Sequence, residues 1–382
     1  MNKKIFWIYA LSSIVYFIQG FEGLPSQGLF YYLKETLNFP PERIMFLSSI
    51  ITLAWLVKPL FGYIIDRFLN KKAWIFISLG LDIALVLVLF VFPLPVAPLI
   101  ALLLFNSANS ALRDVGVDGI MCVEGKKYAL TGKIQSIQWI SISVAILITG
   151  IGGGYIAHKW GFRSAFLFLI PFYLLAGVIT NFYSEDKSAA RNSGKTLISD
   201  LKRLFAHKQL MIVALFIFLY KYSPSFGTPL FFIQRDSFKW GKVWIGALSS
   251  IGTVFTIFGA LLYYKFSKKI NIRKWLYISV FLGAATTLSF LYYTPVTAVI
   301  YDVVYSFIGM FIFLMVMDFM ARNTIPGLEA TSFAFLCSVS NLALTTSNLS
   351  GAILFPVLGL PWLIVLSALT SFLCLFLINK IF

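Results

Sequence analysis

Nine ionisable side chains lie inside segments that are otherwise apolar enough to cross a lipid bilayer. They are Glu22, Lys58, Asp82, Arg113, Asp114, Asp118, Lys221, Asp302 and Asp318. A charge in the hydrocarbon core costs several kcal/mol, roughly 2.5–3.5 kcal/mol on insertion scales. A chain can keep this many only where they face a water-filled cavity or pair with each other. Together with a dozen apolar segments, their placement predicts a transporter of a small solute.

The composition suits lipid rather than water. Hydrophobic residues make up 59% of the chain and charged residues only 12%, whereas a soluble domain is about one quarter charged. The apolar runs do not alternate with polar residues as a transmembrane barrel requires, so helices are expected. The net charge of +16 would indicate nucleic acid as a partner of a soluble protein. Here it is attributed to basic loops that set topology, so the bilayer is the expected partner, with no nucleic acid.

Twelve segments predict membrane spans, in two six-helix bundles at 1–183 and 210–382 that are joined by a cytoplasmic linker, 184–209. With the N-terminus inside, inner loops and termini hold 21 Lys and Arg and outer loops hold 7, which favours both termini in the cytoplasm. Short loops and the lack of a transit-peptide pattern favour a bacterial inner membrane. The predicted spans are 5–33, 42–65, 73–92, 97–121, 131–157, 162–183, 210–234, 243–266, 274–293, 297–320, 330–354 and 360–379.

The two halves resemble each other at a spacing near 200 residues. Trp74 matches Trp275 and Asp118 matches Asp318. Two parallel halves of six spans are typical of the major facilitator fold, in which the substrate site lies between the halves near the midplane. We therefore expect an all-α membrane protein with the major facilitator fold, acting as a monomer.

The loop after the second span is similar to the Gly–Asp–basic signature of major facilitators. Gly62 would allow another helix to approach closely, and Asp66 would either cap a helix N-terminus in the second half or pair with Arg113. The alternative is that these charges only set topology. The residues predicted to form a cytoplasmic gate are Gly62, Asp66, Arg67, Lys71, Lys72 and Arg113.

Three carboxylates are candidates for proton coupling. Asp114 and Asp118 lie one turn apart on the fourth span, so they share a helix face, and Asp318 is the counterpart of Asp118. Two nearby carboxylates hinder each other's ionisation, which suits uptake of a proton. An equally weighted alternative is a static Arg–Asp network that locks helices together.

The candidate substrate-binding residues are chosen for their chemistry: side-chain amides, an indole ring, and cations that need an anion. Gln135, Gln138 and Trp139 share one face of the fifth span, and an amide pair beside an indole suits a flat heteroaromatic ligand. Interhelical hydrogen bonding is the alternative. Lys221 falls near the midplane and needs an anion, from Glu22 or from the substrate. The full candidate set is Glu22, Lys58, Gln135, Gln138, Trp139, Lys221, Tyr222 and Asn341.

Three stretches together resemble the folate–biopterin transporter family, a branch of the major facilitators. They are WLVKPLFG at 55–62, DVGVD at 114–118 and QSIQW at 135–139. The resemblance implies import of folates or pterins driven by protons, with a site on spans 1, 4, 5, 7 and 10. The chain departs from the family pattern at Gly119 and at Lys221-Tyr222. Muropeptide permeases share the spaced aspartates, so a muropeptide or another anionic conjugate is the alternative cargo.

An enzyme is not expected. The two histidines, His158 and His207, lie in loops, and no nucleophile–base set, phosphate loop or cysteine pair is present. No metal and no cofactor are expected either. A non-transporting membrane sensor or scaffold is the remaining alternative of a different class.

Overall fold

The computed structural model describes residues 3–185 and 197–382, and within these ranges the chain is helical without strands. It divides into two compact units. Unit 1 is Met1–Lys195 with Thr324–Ala334, and unit 2 is Thr196–Asn323 with Phe335–Phe382. Residues 186–196 of the expected linker lie outside the described part. The division into bundles at 1–183 and 210–382 stays a prediction.

Eight helices begin in the first half of the sequence. They are α1 Lys3–Phe21, α2 Ser26–Tyr31, α3 Pro41–Thr52, α4 Lys58–Arg67, α5 Lys71–Val91, α6 Val96–Tyr128, α7 Thr131–Leu167 and α8 Ile170–Phe182. A π-helical turn, Tyr32–Thr36, extends α2, and a 3₁₀ turn, Leu53–Val57, links α3 to α4. Gly161 interrupts the helical backbone within α7.

The second half repeats this plan. Its helices are α9 Leu197–Ala206, α10 Lys208–Lys221, α11 Gly227–Phe232, α12 Lys242–Phe266, α13 Ile272–Ser289, α14 Pro295–Arg322, α15 Glu329–Thr370 and α16 Leu375–Ile381. A π-helical turn, Ile233–Ser237, extends α11, and a 3₁₀ turn, Ser371–Cys374, precedes α16. Gly359 interrupts α15.

Eight of the helices in the described ranges are long and apolar enough to cross a membrane, or nine if α9 and α10 form one bent span. Several of them exceed the length that a bilayer needs. At 1.5 Å per residue, the 33 residues of α6 extend about 50 Å, well beyond the roughly 30 Å of the hydrocarbon core. The predicted number of twelve spans stays a prediction.

Three spans that the sequence predicts as continuous helices are interrupted, which corrects their predicted bounds. The span at 5–33 breaks between Phe21 and Ser26, the span at 42–65 at the 3₁₀ turn, and the span at 210–234 between Lys221 and Gly227. Each break lies at or beside a proline (Pro25, Pro59 and Pro224), which has no N–H to donate to the helix. Hydropathy cannot reveal such breaks because the flanking residues remain apolar.

The repeat near 200 residues in the sequence is also a repeat of backbone structure. The two π-helical turns are offset by 201 residues, from Tyr32 to Ile233. Left-handed backbone recurs at Asn38 and Lys239 with the same offset. Asparagine caps the helix N-terminus at Asn70 and again at Asn271, each accepting from the N–H three residues on. Both halves therefore share one backbone plan in detail.

The first residues of α15 belong to unit 1, although they follow it in sequence by more than a hundred positions. Asp66 accepts hydrogen bonds there from the N–H of Ala330 at 3.3 Å and from the N–H and hydroxyl of Thr331 at 2.8 Å each. The carboxylate thus satisfies donors that a helix N-terminus leaves without partners. Beside it, Ile65, Val115, Ala330 and Ala334 form a buried apolar cluster.

Gly62 makes this close approach possible, and its replacement should be destabilising. A Cβ on Gly62 would lie 2.6 Å from Cα of Thr331 and 2.8 Å from the carbonyl oxygen of Ala330, both of them backbone atoms. We expect Gly62→Ala to cost about 1–3 kcal/mol, as overpacking does, and to lower the midpoint of thermal unfolding. Gly80→Ala is the control, because a Cβ on that helical glycine meets nothing within 4 Å. Equal midpoints for the two variants would contradict the close approach.

Candidate functional site

Arg113 on α6 is the centre of a buried charge network in unit 1. Its guanidinium pairs with the carboxylates of Glu22, which follows α1, and Asp82 on α5. Its side chain is 1% exposed and that of Asp82 is 0% exposed. Glu22 also accepts from the hydroxyls of Ser110 at 2.6 Å and Tyr173 at 3.1 Å. The site therefore joins the break in the first span to α5, α6 and α8.

A second network begins at Asp114, the residue after Arg113 on α6, and continues one turn later at Asp118. Asp114 forms an ion pair with the buried Lys58 of α4. Asp118 accepts hydrogen bonds from the hydroxyl of Tyr16 at 2.8 Å and from the amide of Gln138 at 3.2 Å. Asp114 thus connects α6 to α4, and Asp118, one turn later, connects α6 to α1 and α7.

Each of these two buried cations has two carboxylates in its neighbourhood. Glu22 and Asp82 flank Arg113, and Asp114 and Asp118 lie near Lys58. With all six groups ionised, the two networks would carry two surplus negative charges in a setting that tolerates few. An arrangement of this kind can take up a proton or a cationic group.

A cavity of about 620 Å³ reaches this network from one side. Glu22 and Ser110 line it at the network, and Trp55 and Ser107 line it further along. The indole N–H of Trp55 donates to the Ser107 hydroxyl at 3.1 Å. Polar groups and an aromatic ring therefore face a space large enough for a small organic solute.

Unit 2 is charged differently. The ammonium of Lys221, at the end of α10, lies 5.0 Å from the ring centre of Phe313. No carboxylate within the described ranges forms an ion pair with Lys221. Glu22 was one expected anion for Lys221, but it pairs with Arg113 instead. Asp318, by contrast, is held by Arg322 through two hydrogen bonds of 3.0 and 2.7 Å and by the Tyr263 hydroxyl at 2.8 Å.

The amides expected to bind substrate are fully buried. Gln138 bonds to Asp118, and the Gln135 amide nitrogen lies 3.6 Å from the Met121 sulfur. The side-chain carbonyl oxygens of both glutamines are enclosed and accept no hydrogen bond from the described residues. Trp139 and Asn341 are half-buried, and Tyr222 stacks on Phe218 with ring centres 6.0 Å apart. Their substrate roles stay predictions.

The predicted gate residues have different partners in the structure. Asp66 bonds to the N-terminus of α15, and the Lys71 ammonium lies 3.6 Å from its carboxylate. Of the two partners expected for Asp66, the helix N-terminus is therefore found, whereas Arg113 pairs with other carboxylates. Lys72 instead donates to the carbonyl oxygens of Asn181 and Tyr183 at 2.8 and 2.7 Å. The half-buried Arg67 ends α4.

Several residues of the site carried no signal in the sequence that we could use. Asp82 was recognised as a charge in a span without an assigned role, and Tyr16 and Tyr173 resemble many other tyrosines in apolar segments. Glu185 accepts hydrogen bonds from the backbone N–H groups of Lys71 at 3.1 Å and Lys72 at 2.9 Å. It lies in a polar connection, where an acid is ordinary.

Solved structures of similar architecture identify the fold of the chain. The transporter FucP of the major facilitator superfamily, in its outward conformation, is similar with a TM-score of 0.73, at 12% identity over 98% of each chain. The human organic anion transporter MFSD10 gives a TM-score of 0.69, at 14% identity over 99% of each chain. At such low identity these likenesses show the fold alone. The chain is an integral membrane protein with the major facilitator fold.

Sequence comparison then identifies the family. The profile of the BT1 family matches residues 19–381, so the chain belongs to the BT1 family. The folate-biopterin transporter of Synechocystis sp. is 26% identical over 94% of this chain and 76% of its own length. Folate transporter 1 of Plasmodium falciparum is 22% identical over 96% of this chain and 77% of its own length. These relatives are transporters, which confirms the predicted family and the prediction that the chain is not an enzyme.

Removal of Arg113 tests how much its charge network contributes to the stability of the protein. We expect Arg113→Ala to cost about 3–5 kcal/mol, because it leaves two buried carboxylates without their cation, and thermal unfolding of the purified protein measures the loss. Arg235→Ala is the control. It breaks an Arg–Asp pair whose side chains are 53% and 58% exposed, so solvent screens the pair and its loss should leave the unfolding midpoint near that of wild type.

Neutralising the acids separates charge from packing. Glu22→Gln and Asp82→Asn, added to Arg113→Ala, should recover most of the lost stability, since no buried charge is then uncompensated. If the triple variant is as unstable as Arg113→Ala alone, the network acts through shape rather than charge.

Proposed function

We propose that this chain transports a folate or pterin by proton-coupled alternating access. The names of its relatives support this cargo. The observation that carries the proposal is the ammonium of Lys221, which forms no ion pair with any described residue and lies against the ring of Phe313. A folate has a flat heteroaromatic ring and carboxylates, so it can supply both the anion that Lys221 lacks and a surface for aromatic side chains.

Lys221 is a candidate for the anion site because of its charge. An ammonium in a span is costly without an anion, and buried charges normally have partners. Lys221 has aromatic neighbours, Phe313 beneath its ammonium and Tyr222 next in sequence. Lys58, also a candidate for the substrate carboxylate, is already engaged by Asp114. A substrate carboxylate therefore gains more from Lys221 than from Lys58.

The surplus acids of unit 1 support proton coupling. Asp114 and Asp118 share one nearby cation, Lys58, so a proton on one of them would remove an uncompensated charge. Asp318 is a weaker candidate because Arg322 already neutralises it. We assign the coupling proton to the Asp114–Asp118 pair.

Alternating access would use the contact between Asp66 and the N-terminus of α15 as a cytoplasmic latch. In this proposal the bundles at 1–183 and 210–382 are the moving halves and the chain acts as a monomer. The bias of basic residues toward one set of loops supports cytoplasmic termini, and we propose a bacterial inner membrane.

Uptake of labelled folic acid into proteoliposomes, with and without an inward proton gradient, tests the proposal. We expect accumulation that the gradient stimulates and that excess pterin abolishes. Accumulation without stimulation would contradict proton coupling alone. If a muropeptide is taken up and folic acid is not, the cargo is the alternative one.

The Lys221→Ala variant tests the anion site. We expect at least a tenfold loss of folic acid uptake at normal membrane abundance, because a buried charge-assisted contact contributes about 1.5–3 kcal/mol. Lys274→Ala, which changes an exposed lysine of α13, is the control and should leave uptake unchanged. Equal uptake by the two variants would remove Lys221 from the site.

A further inference from the structure

Asp302 on α14 differs from the other acids that lie in spans. The others have polar partners: Glu22 and Asp82 have Arg113, Asp114 has Lys58, Asp118 has Tyr16 and Gln138, and Asp318 has Arg322 and Tyr263. Asp302 forms no ion pair with any described residue, and its Oδ2 is enclosed without a hydrogen-bond partner. A carboxylate in this setting needs a proton or a cation.

The hydroxyl oxygen of Ser306 and the Oδ2 of Asp302 both lie against Gly252. Ser306 lies one turn further along α14, and Gly252 faces both from α12. A Cβ on Gly252 would lie 2.8 Å from the Ser306 hydroxyl oxygen and 2.9 Å from Asp302 Oδ2. The missing side chain at Gly252 therefore leaves room for both the carboxylate and the hydroxyl against α12.

The described groups that face Asp302 are hydroxyls and phenols rather than ammonium or guanidinium groups. On α12, Gly252 is followed one turn later by Thr256, whose hydroxyl donates to the Gly252 carbonyl at 3.1 Å. The phenol of Tyr293 lies close enough to interact with the Asp302 charge and accepts from the Gln234 amide at 2.7 Å. On α14 itself the titratable neighbours are Tyr301 and Tyr305. No described cation is placed to balance an ionised Asp302.

We propose that the Asp302 carboxyl is a second proton-binding site, in unit 2, that loads and releases one proton in each transport cycle. An O–H bond forms on the carboxylate when a proton enters from water and breaks when the proton leaves on the other side. This inference rests on the proposed proton-coupled function and adds a site to the Asp114–Asp118 pair.

Infrared spectroscopy of the protein in lipid vesicles tests the site without transport. The difference between wild type and Asp302→Asn should contain the C=O stretching band of a protonated carboxyl at neutral pH, and this band should shrink as the pH is raised. Asp302→Glu, which keeps a titratable carboxyl, is the second variant and should shift the band rather than remove it. Absence of the band from every difference spectrum would overturn the proposal.

Transport assays then test the role of the proton. Asp302→Asn should lose at least tenfold of the gradient-driven accumulation of folic acid, yet retain exchange of labelled for unlabelled folic acid, which moves no net protons. Asp236→Asn is the control, because it removes an acid that is 58% exposed and already paired with Arg235. Unchanged gradient-driven accumulation in Asp302→Asn would overturn the role.

The two proposals fail in different ways. If wild type neither accumulates nor exchanges folic acid, the proposed cargo is wrong, while the infrared band still decides whether Asp302 binds a proton. If wild type exchanges folic acid but ignores the gradient, proton coupling is wrong, and the transport role of Asp302 falls with it.

Discussion

The guanidinium of Arg113 between Glu22 and Asp82 is the interaction on which unit 1 depends. Three charges are withdrawn from water there, and each is tolerated only because the others are in place. The three residues belong to different parts of the chain, so their pairing fixes α5 and α6 relative to the break after α1. Tyr173 adds α8 to the same centre through its bond to Glu22.

The two units use charge in opposite ways. In unit 1 the intramembrane charges are bound to one another or to neighbouring hydroxyl and amide groups, which favours a fixed arrangement of helices. In unit 2 an ammonium at Lys221 and a carboxylate at Asp302 have no opposite charge among the described residues. A shared backbone plan thus carries two different sets of charges. Those of unit 1 pair across helices and include the surplus acids Asp114 and Asp118, whereas in unit 2 Lys221 and Asp302 are open to ions that arrive from solution.

Much of this architecture could be predicted from the sequence, because the strongest signals are local. The helical class follows from long apolar runs, and the contact of Asp66 with a helix N-terminus was one of two outcomes that the Gly–Asp spacing suggested. The partners of Arg113 could not be predicted, since Glu22 and Asp82 are 91 and 31 residues away and several charges of each sign compete. The break before Lys58 was missed because hydropathy does not register the loss of helical hydrogen bonds.

The position of residues 324–334 in unit 1 has a consequence for biosynthesis. Asp66 is made early, but the N–H groups that it binds lie 264 and 265 residues later. At a synthesis rate of roughly 5–20 residues per second, the ribosome needs several seconds to proceed from residue 195 to residue 334. During that delay the first half is in the membrane with an acid and an apolar surface uncovered. Its final packing is therefore one of the last steps of maturation, and a chain truncated before α15 would leave that surface open to the quality-control machinery of the membrane.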